Sequence, residues 1–237
     1  MQTNNLISRV EIDSALYIVS TPIGNFEDIT IRALKVLASV DFILCEDTRT
    51  SGNLLKHFGI QNKLVSYHSH NETSKLEFVL NLLKEGKSIA LISDAGTPCV
   101  SDPGAILVAE VVKQNLKVVP IPGANAAVSA YSASGILASD FKFFGFPPLK
   151  KGRQTFLKSC FDDKTATILY ESSHRILKLL NELDILYSDK LYICVAKELT
   201  KIYEKFYFGS PIEVLAKIQQ DKSDKGEFVL IGILSSK

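Results

Sequence analysis

The sequence predicts an α/β fold with two domains, and three features of the chain indicate it. Short apolar runs, typical of buried strands, alternate with longer segments of helical periodicity. Polar loops follow the early strands, at the position where an open α/β sheet binds its ligands. The composition then changes beyond Pro122-Gly123. We therefore predict an N-terminal domain over residues 10–122 with a mostly parallel sheet, and a C-terminal domain over residues 123–237 with a mixed sheet.

Five strands are predicted in the N-terminal domain, each followed by a loop and most by a helix, as in repeated βα units. The helices are expected near Ile29–Leu37, in a short segment ending near Phe58-Gly59, over Glu72–Glu85, and from Ala105 onward. The predicted strands are Leu16–Val19, Phe42–Cys45, Leu64–Ser66, Ile89–Ile92 and Lys117–Pro120.

The C-terminal domain begins with a segment rich in alanine and serine, Ala124–Ala138, which predicts a closely packed helix. An aromatic, proline-broken segment follows over Phe141–Pro148 and is interpreted as a strand and a hinge. The later strands are closely spaced, which favours a mixed sheet. They are predicted at Ala166–Tyr170, Leu191–Ala196, Tyr203–Tyr207 and Phe228–Leu234, with helices at Ile176–Leu186 and Ile212–Ile218.

The composition excludes several classes of protein. An apolar content of 46% over 237 residues is enough for hydrophobic cores and is far from that of a disordered chain. The net charge of +1 gives no sign of a global polyanion binder. Four cysteines without paired spacing indicate neither a disulfide framework nor a zinc site. Because no apolar run reaches about 18 residues and the N-terminus is polar, we expect neither a membrane span nor a signal peptide, and a cytoplasmic location.

The loop after the fourth predicted strand, Ser93–Gly104, is the most informative segment of the chain. It holds two aspartates, two glycines and two prolines, and it is too long and too rigid for a plain connection. We interpret it as half of a small-molecule site. Asp102 is expected to brace this loop by capping the helix that begins near Pro103.

The loops after the first two strands carry further candidates. Pro22 and Gly24 follow the first strand, where a glycine permits close backbone approach to a ligand, although a simple turn is the alternative. The chain contains no G-x-G-x-x-G and no Walker lysine motif, so dinucleotide and P-loop sites are only weakly indicated. Glu46 and Asp47 point to opposite sides of an extended segment. We expect one of them to pair with Arg49 and the other to face a cleft; a purely structural ion pair is the alternative.

Two more segments carry polar candidates. His68 and Asn71 follow the third strand; two histidines alone do not complete a zinc site, so no metal is expected. A polar contact to substrate is the functional interpretation, and a helix cap by Asn71 is the structural one. The run from Lys142 to Lys158 is basic and includes Lys150, Lys151 and Arg153. It is interpreted either as a solvated loop or as a patch that contacts phosphates, with neighbouring phenylalanines available for base stacking or buried in a strand.

Eight motifs fall along the chain in one order, and this series resembles the ribosomal RNA small subunit methyltransferase I family, a branch of the tetrapyrrole (corrin/porphyrin) methylase superfamily. The resemblance runs from about residue 15 to residue 234. The early motifs are T-P-I-G-N, E-D-T-R, H-x-H-N-E, S-D-A-G-T-P-x-x-S-D-P-G and P-x-P-G, and the later ones are Tyr170–Arg175, Ala196–Lys201 and Gly226–Leu230.

The resemblance implies a two-domain methyltransferase of the tetrapyrrole methylase type, usually a homodimer, that binds S-adenosylmethionine in a cleft between its domains. It implies methylation of the ribose 2′-hydroxyl of a cytidine in 16S ribosomal RNA of the small ribosomal subunit. The cofactor-binding residues that it implies are Pro22, Gly24, Asp94, Gly96, Thr97, Ala124, Asn125, Tyr170, Ala196 and Gly226.

The expected chemistry needs a group that removes or polarises the proton of the ribose hydroxyl, because an alcohol is a weak nucleophile. A carboxylate, a histidine or a neutral lysine is suitable. We expect Glu46, Asp47 and Glu198 with Lys201 to surround the hydroxyl, without choosing the base among them. Arg49 and Arg175 are expected to hold RNA phosphates.

The sequence also departs from the family pattern. Ala124-Asn125 replaces a more usual Pro-Cys or Pro-Ser, and Ser173 replaces a common proline. Some relatives carry a further C-terminal module, so any RNA contacts it makes are expected to be absent or replaced here.

Two alternatives stay open at this point. One is a methylase of a tetrapyrrole or another small molecule on the same fold. The other is a non-catalytic domain that binds only the nucleoside or a ribosome.

Overall fold

The computed structural model describes residues 7–161 and 163–235 and divides the chain into two compact units. Unit 1 ends at Asn125 and unit 2 begins at Ala126, shortly after the predicted boundary at Pro122. Within the described residues, no helix is long and apolar enough to cross a membrane.

Unit 1 is built on a five-stranded parallel sheet with the strand order β3-β2-β4-β1-β5. The central strand β1 faces β4 on one side and β5 on the other, with Leu16 opposite Ile89 and Val118. The strands are β1 Leu16–Val19, β2 Phe42–Cys45, β3 Leu64–Ser66, β4 Ile89–Leu91 and β5 Val118–Ile121. The helices are α1 Ile31–Ser39, α2 Thr48–His57, α3 Glu72–Lys84 and α4 Ala105–Lys113.

Helices cover both faces of this sheet, which explains why its strands are continuous apolar runs. In β2, Ile43 packs into the cluster that includes Leu37 of α1, whereas the next residue, Leu44, packs with Leu80 of α3 and Leu107 of α4. Successive side chains of a strand point to opposite faces, so the run is buried on both sides. The prediction of parallel sheet made of βα units is therefore confirmed.

Unit 2 contains a mixed five-stranded sheet with the order β6-β7-β10-β8-β9, as predicted. Only β6 and β7 run parallel; the remaining neighbours pair antiparallel. Helices α6, α7 and α8 share one apolar cluster with the sheet, through Leu157, Leu179 and Ile218. The strands are β6 Phe141–Gly145, β7 Ala166–Ser172, β8 Leu191–Lys197, β9 Lys205–Gly209 and β10 Glu227–Leu234. The helices are α5 Ala126–Ala133, α6 Arg153–Cys160, α7 Ile176–Tyr187 and α8 Pro211–Gln220.

Three predictions about elements of unit 2 were wrong. The helix predicted to run to Ala138 ends at Ala133, because Gly135 takes a left-handed conformation with φ +67° and the chain turns. The strand predicted from Tyr203 begins at Lys205, after a turn. The basic segment interpreted as a loop contains the helix α6, which begins at Arg153.

Candidate active site

The C-terminal edge of the parallel sheet in unit 1 brings the predicted polar loops together. The loops after β1 and β4 are joined by an antiparallel bridge between Thr21 and Gly96. Each of these two residues donates its backbone N–H to the carbonyl of the other, at 2.8 and 3.1 Å. The Thr21 hydroxyl also donates to the Ser93 carbonyl at 3.0 Å. The Ser93–Gly104 loop is therefore fixed against the first loop by backbone and side-chain bonds.

The hydroxyl of Thr97 extends this connection to the loop after β5. It donates to the Ala124 carbonyl at 3.1 Å and lies 3.1 Å from the Ser20 hydroxyl. Gly123 packs so closely on the first loop that a Cβ atom there would lie 2.8 Å from Ser20 Cβ. Thr97 is a residue that the resemblance assigns to the cofactor, and its hydroxyl is thus already bonded within the loops.

Gly104 closes the long loop and starts α4. Its φ is +121°, and a Cβ atom would lie 2.4 Å from Leu91 Cδ2 and 2.9 Å from Cys99 Sγ. Its N–H donates to the Glu72 carboxylate at 3.2 Å. The position therefore needs both the conformational freedom and the small size of glycine.

We expect Gly104→Ala to destabilise unit 1 by about 2–4 kcal/mol, since it combines backbone strain with overpacking against Leu91. Gly86→Ala is the matched control: φ is +82° there, but a Cβ atom meets nothing within 4 Å. The control is expected to lose only about 1–2 kcal/mol. Urea unfolding measures both free energies, and equal losses would contradict the packing argument.

Asp102 does not cap the helix, so that prediction was wrong. The helix begins at Ala105, and Gly104 occupies the N-cap position without a side-chain cap. Asp102 is instead partly buried. Burial and the negative charge of Asp94 raise the pKa of Asp102 to about 6, although a hydrogen bond with Ser93 acts in the opposite direction. It belongs to a group of carboxylates at this edge of the sheet.

Glu46 is the second member of this carboxylate group. Burial, followed by the negative charges of Asp102 and Asp94, raises the pKa of Glu46 to about 7. Its side chain is half-buried and forms no hydrogen bond or ion pair with the described part of the chain. Asp94, the third member, is exposed and accepts a bond from the Asp47 N–H at 3.3 Å. Glu46 is thus a carboxylate able to exchange a proton near neutral pH.

Asp47 has a different environment from its neighbour. It is the N-cap of α2, and its carboxylate accepts from the Arg49 backbone N–H at 2.8 Å and from Arg49 Nη2 at 2.7 Å. These bonds from Arg49 lower the pKa of Asp47 to about 2. The two adjacent acids therefore divide as expected, with Asp47 holding Arg49 and Glu46 left without a cation. A proton-accepting role does not suit Asp47, although its other predicted contacts stay predictions.

In the loop after β3, the side chain of Asn71 holds His68 in position. The Asn71 amide oxygen accepts from the His68 N–H at 2.9 Å, and its nitrogen lies 3.1 Å from His68 Nε2. Asn71 occupies the N-cap position of α3, as the structural interpretation expected, although its side chain makes no cap hydrogen bond. The Asn71 amide donates to Nε2, which assigns the proton of the neutral ring to Nδ1; this atom is buried and has no partner in the described residues. Because Nδ1 is buried, it offers no surface contact, and the substrate contact of His68 stays a prediction.

A metal site is not apparent in the same regions. Within the residues that the structure describes, no group of three or more histidine, cysteine, aspartate or glutamate side chains is placed to hold a metal ion.

In unit 2, Lys201 lies between two carboxylates. Its ammonium is 2.9 Å from Glu198 Oε1 and 2.8 Å from Glu227 Oε2. Burial acts against the charge of Lys201, but the bonds with Glu227 and Glu198 outweigh it and raise the pKa of the ammonium. Lys201 is thus held as a cation, which excludes the neutral-lysine base considered above.

Gly226 and Ser173 are locked together in the same unit. The Ser173 hydroxyl donates to the Gly226 carbonyl at 2.7 Å and accepts from the Gly226 N–H at 2.8 Å. A Cβ atom on Gly226 would lie 2.7 Å from Glu198 Cγ. The serine that replaces a common proline therefore fixes a glycine to which the resemblance assigns a cofactor contact.

The remaining unit 2 residues assigned to the cofactor are more enclosed. The Tyr170 hydroxyl accepts from the Ala127 N–H at 3.1 Å. Ala196 lies in β8 between β10 and β9 and has no exposed surface through which it can touch a ligand.

Two of the three arginines predicted to contact RNA phosphates, Arg153 and Arg175, form ion pairs within unit 2. Arg153 is 3% exposed and lies between Glu171 and Glu182, so its charge is neutralised in the interior and the prediction of a phosphate contact was wrong. Arg175 also pairs with Glu171, at 2.7 Å, and keeps 20% of its side chain exposed. Lys150 and Lys151 are exposed and stay candidates for phosphate contacts.

Comparison with known proteins shows which family the chain belongs to. Residues 15–214 match the family model of Tetrapyrrole (Corrin/Porphyrin) Methylases. The chain is 48% identical over 219 residues to "Ribosomal RNA small subunit methyltransferase I" of Escherichia coli O157:H7, covering 91% of this chain and 76% of that protein. The chain belongs to the ribosomal RNA small subunit methyltransferase I family. It is therefore a methyltransferase, which argues against a non-catalytic binding domain.

Other members of the ribosomal RNA small subunit methyltransferase I family are similarly close. The protein of that name from Haemophilus influenzae is 45% identical, with 93% of this chain and 79% of the relative covered. The one from Halalkalibacterium halodurans is 43% identical, with coverages of 98% and 80%.

Solved structures agree with the fold of this family. A diphthine synthase superposes with a TM-score of 0.72 at 15% identity, covering 93% of this chain and 90% of that one. A cobalt precorrin-4 methyltransferase superposes with a TM-score of 0.64 at 18% identity, covering 92% and 94%. At these identities the likeness concerns the fold alone.

The sequence did not reveal the roles of two residues of this chain, Asp102 and Glu171. Asp102 was assigned to a helix cap, although an aspartate in a rigid loop directly beside a buried strand is also a candidate for burial. Glu171 was not singled out, although its spacing from Arg175 predicts an i,i+4 ion pair if the segment is helical. The structure places Glu171 in β7 instead, so the pair forms across the strand end.

Proposed function

We propose that the chain transfers a methyl group from S-adenosylmethionine to the ribose 2′-hydroxyl of a cytidine in 16S ribosomal RNA of the small ribosomal subunit. Family membership and the name of its relatives support the substrate. The observation that carries the chemistry is Glu46, a half-buried carboxylate with a pKa near 7 at the loop-bearing edge of unit 1.

The loops of unit 1 fit the proposed methyl donor. Asp94 offers an exposed carboxylate, which suits an ammonium or the ribose hydroxyls of the donor. Gly24 is small and exposed, which leaves its backbone open to a ligand. The carbonyls of Gly96 and Ala124 already accept bonds from Thr21 and Thr97, so the proposed contacts of these two residues rest on their small size. When bound, S-adenosylmethionine supplies an electrophilic methyl group on sulfur. Pro22, Thr97 and Asn125 complete the proposed contacts of unit 1, and Tyr170 and Gly226 are proposed from unit 2.

Glu46 is the proposed general base. A ribose hydroxyl gains nucleophilicity as its proton moves to an acceptor, and an acceptor with a pKa near the working pH is both deprotonated and basic. Asp94 and Asp102 support this role, because their negative charges favour the protonated form of Glu46 that arises during transfer. In-line transfer then depends mainly on how the reactants are held.

RNA is favoured over a tetrapyrrole as the substrate. The relatives at 45–48% identity carry the ribosomal RNA name, whereas the similarity to a corrin-type methylase reaches only 18% identity. Arg49 is 88% exposed and offers a guanidinium face that a phosphate can approach. The homodimer and the cytoplasmic location are part of the same proposal, and a mass measurement in solution tests the dimer.

The test incubates the chain and donor labelled in its methyl group with small ribosomal subunits from a strain that lacks the modification. We expect labelled 16S RNA, with the label in a dinucleotide that survives alkaline hydrolysis, because a 2′-O-methyl group blocks cleavage at that position. A parallel incubation with a tetrapyrrole acceptor is expected to give no labelled product. Label in the tetrapyrrole alone would establish the alternative, and label in an alkali-sensitive position would exclude 2′-O transfer.

A further inference from the structure

The segment Phe146–Lys151 of unit 2 exposes an aromatic ring beside two lysines. Phe146 is 51% exposed and Leu149 is 69% exposed. Lys150 and Lys151 are exposed. Within the described residues, 7–161 and 163–235, their ammonium groups make no ion pair or hydrogen bond. No acidic residue occurs from Phe141 to Phe161 in the sequence. The segment therefore presents apolar surface and uncompensated positive charge together.

Two arginines, the buried Arg153 and the partly buried Arg175, hold the backbone of this segment. Arg175 Nη1 donates to the Pro147 carbonyl at 3.3 Å, and Arg153 Nη1 donates to the Pro148 carbonyl at 3.0 Å. Both guanidinium groups are anchored on the buried carboxylate of Glu171, at 2.7 and 3.4 Å. Since proline also fixes φ, the double proline is rigid in both its torsions and its attachment.

The ring of Phe146 is fixed in the same way. Its centroid lies 5.5 Å from that of Tyr170, with an angle of 64° between the ring planes. The Arg175 guanidinium carbon lies 6.0 Å from its centroid. These contacts hold the ring while about half of its surface stays open, so a flat ligand meets a ring that is already oriented.

We infer that Phe146 is a platform on which an unpaired base of the RNA substrate stacks, with Lys150 and Lys151 contacting the flanking phosphates. An open aromatic face next to lysines is the combination by which proteins bind single-stranded nucleic acid. Arg153, Arg175 and Glu171 are positioning residues for this surface. The inference rests on the proposed function, because it names the part of the chain that holds its substrate.

The first experiment compares Phe146→Leu and Phe146→Trp in methylation of small ribosomal subunits. Leucine keeps apolar contact but removes stacking, so KM for subunits is expected to rise about tenfold or more, with donor affinity measured by calorimetry unchanged. Tryptophan stacks, so Phe146→Trp is expected to stay close to the wild type. Phe78→Leu is the matched control, since Phe78 in unit 1 is similarly exposed at 48%. An unchanged KM for Phe146→Leu would overturn the inference.

A second experiment detects the contact directly. The photoreactive residue p-benzoylphenylalanine at position 146 is expected to crosslink to 16S RNA in subunits, and the same residue at position 78 is not. Crosslinks from position 146 only to the chain itself or to a second copy would overturn the inference. Lys150→Ala and Lys151→Ala are each expected to reduce the salt dependence of subunit binding by about 0.7 in logarithmic slope. If the wild type binds subunits without transferring a methyl group, while the photoreactive variant at position 146 crosslinks to 16S RNA, the proposed function fails and the platform stands.

Discussion

Glu46→Gln is expected to lower the rate of methyl transfer in a single turnover by about 10²–10⁴-fold, the usual contribution of a general base. Glutamine has nearly the size of glutamate but cannot accept the proton. The Glu46 side chain forms no hydrogen bond or ion pair with the described residues, so its loss leaves no buried partner unsatisfied. Donor affinity, measured by calorimetry, is therefore expected to change little. Rapid-quench measurement with labelled donor and small subunits gives the rate.

The pH dependence of the wild type follows from the same group. A base acts in its deprotonated form, and burial together with Asp102 and Asp94 raises the pKa of Glu46 to about 7. The single-turnover rate is therefore expected to rise about tenfold per pH unit below 7 and to level off above it. In Glu46→Gln this rising limb is expected to disappear, because the group that titrates is gone.

Glu77→Gln is the control for the loss of one carboxylate from unit 1. Glu77 is exposed on α3 and its side chain forms no hydrogen bond or ion pair with the described residues, and the control is expected to keep the wild-type rate and pH profile. A Glu46→Gln variant that retains the wild-type rate would rule out Glu46 as the base. Loss of donor binding in that variant would instead place Glu46 among the cofactor contacts.

Much of this edge is predictable from sequence because strand direction determines where loops meet. Parallel strands bring their carboxyl ends to one side, so the loops beginning at Ser20, Glu46 and Ile92 had to be neighbours. Adjacent residues of an extended segment point in opposite directions, which likewise predicted that Glu46 and Asp47 would have different environments. Which acid would pair with the arginine depended on the N-cap of α2, a local geometry that the sequence does not specify in advance.

The rest depended on burial, which sequence patterns indicate poorly for charged residues. Arg153 belongs to a basic run that resembles a solvated patch, yet Glu171 and Glu182 approach it from strands and helices far along the chain. Asp102 follows a serine and precedes a proline, the pattern of a helix start, but the left-handed Gly104 moved that start by two residues. Long-range contacts decided both outcomes.

Glu171→Ala is expected to destabilise unit 2 by about 3–5 kcal/mol, because it leaves two arginines in the interior without their shared carboxylate. Glu171 is fully buried, and the side chain of Arg153 is 4% exposed, so water cannot replace the lost partner. Arg153 keeps Glu182 at 2.7 Å, whereas Arg175 loses its only carboxylate in the described residues. Urea unfolding of the full chain, followed by a probe in unit 2, measures the change.

The size of this effect separates a buried network from a surface ion pair. Glu110→Ala removes a carboxylate that pairs with Lys113 at 3.2 Å on the exposed face of α4, where the lysine is 73% exposed. Such a pair contributes about 0–1 kcal/mol, so the control is expected to stay near the wild type. A Glu171→Ala variant as stable as this control would show that the arginines do not need the carboxylate.

Because the same arginines hold the Pro147 and Pro148 carbonyls, a destabilised Glu171→Ala chain is also expected to bind small subunits more weakly at temperatures where it remains folded. One buried carboxylate is thus expected to support both the stability of unit 2 and the proposed platform.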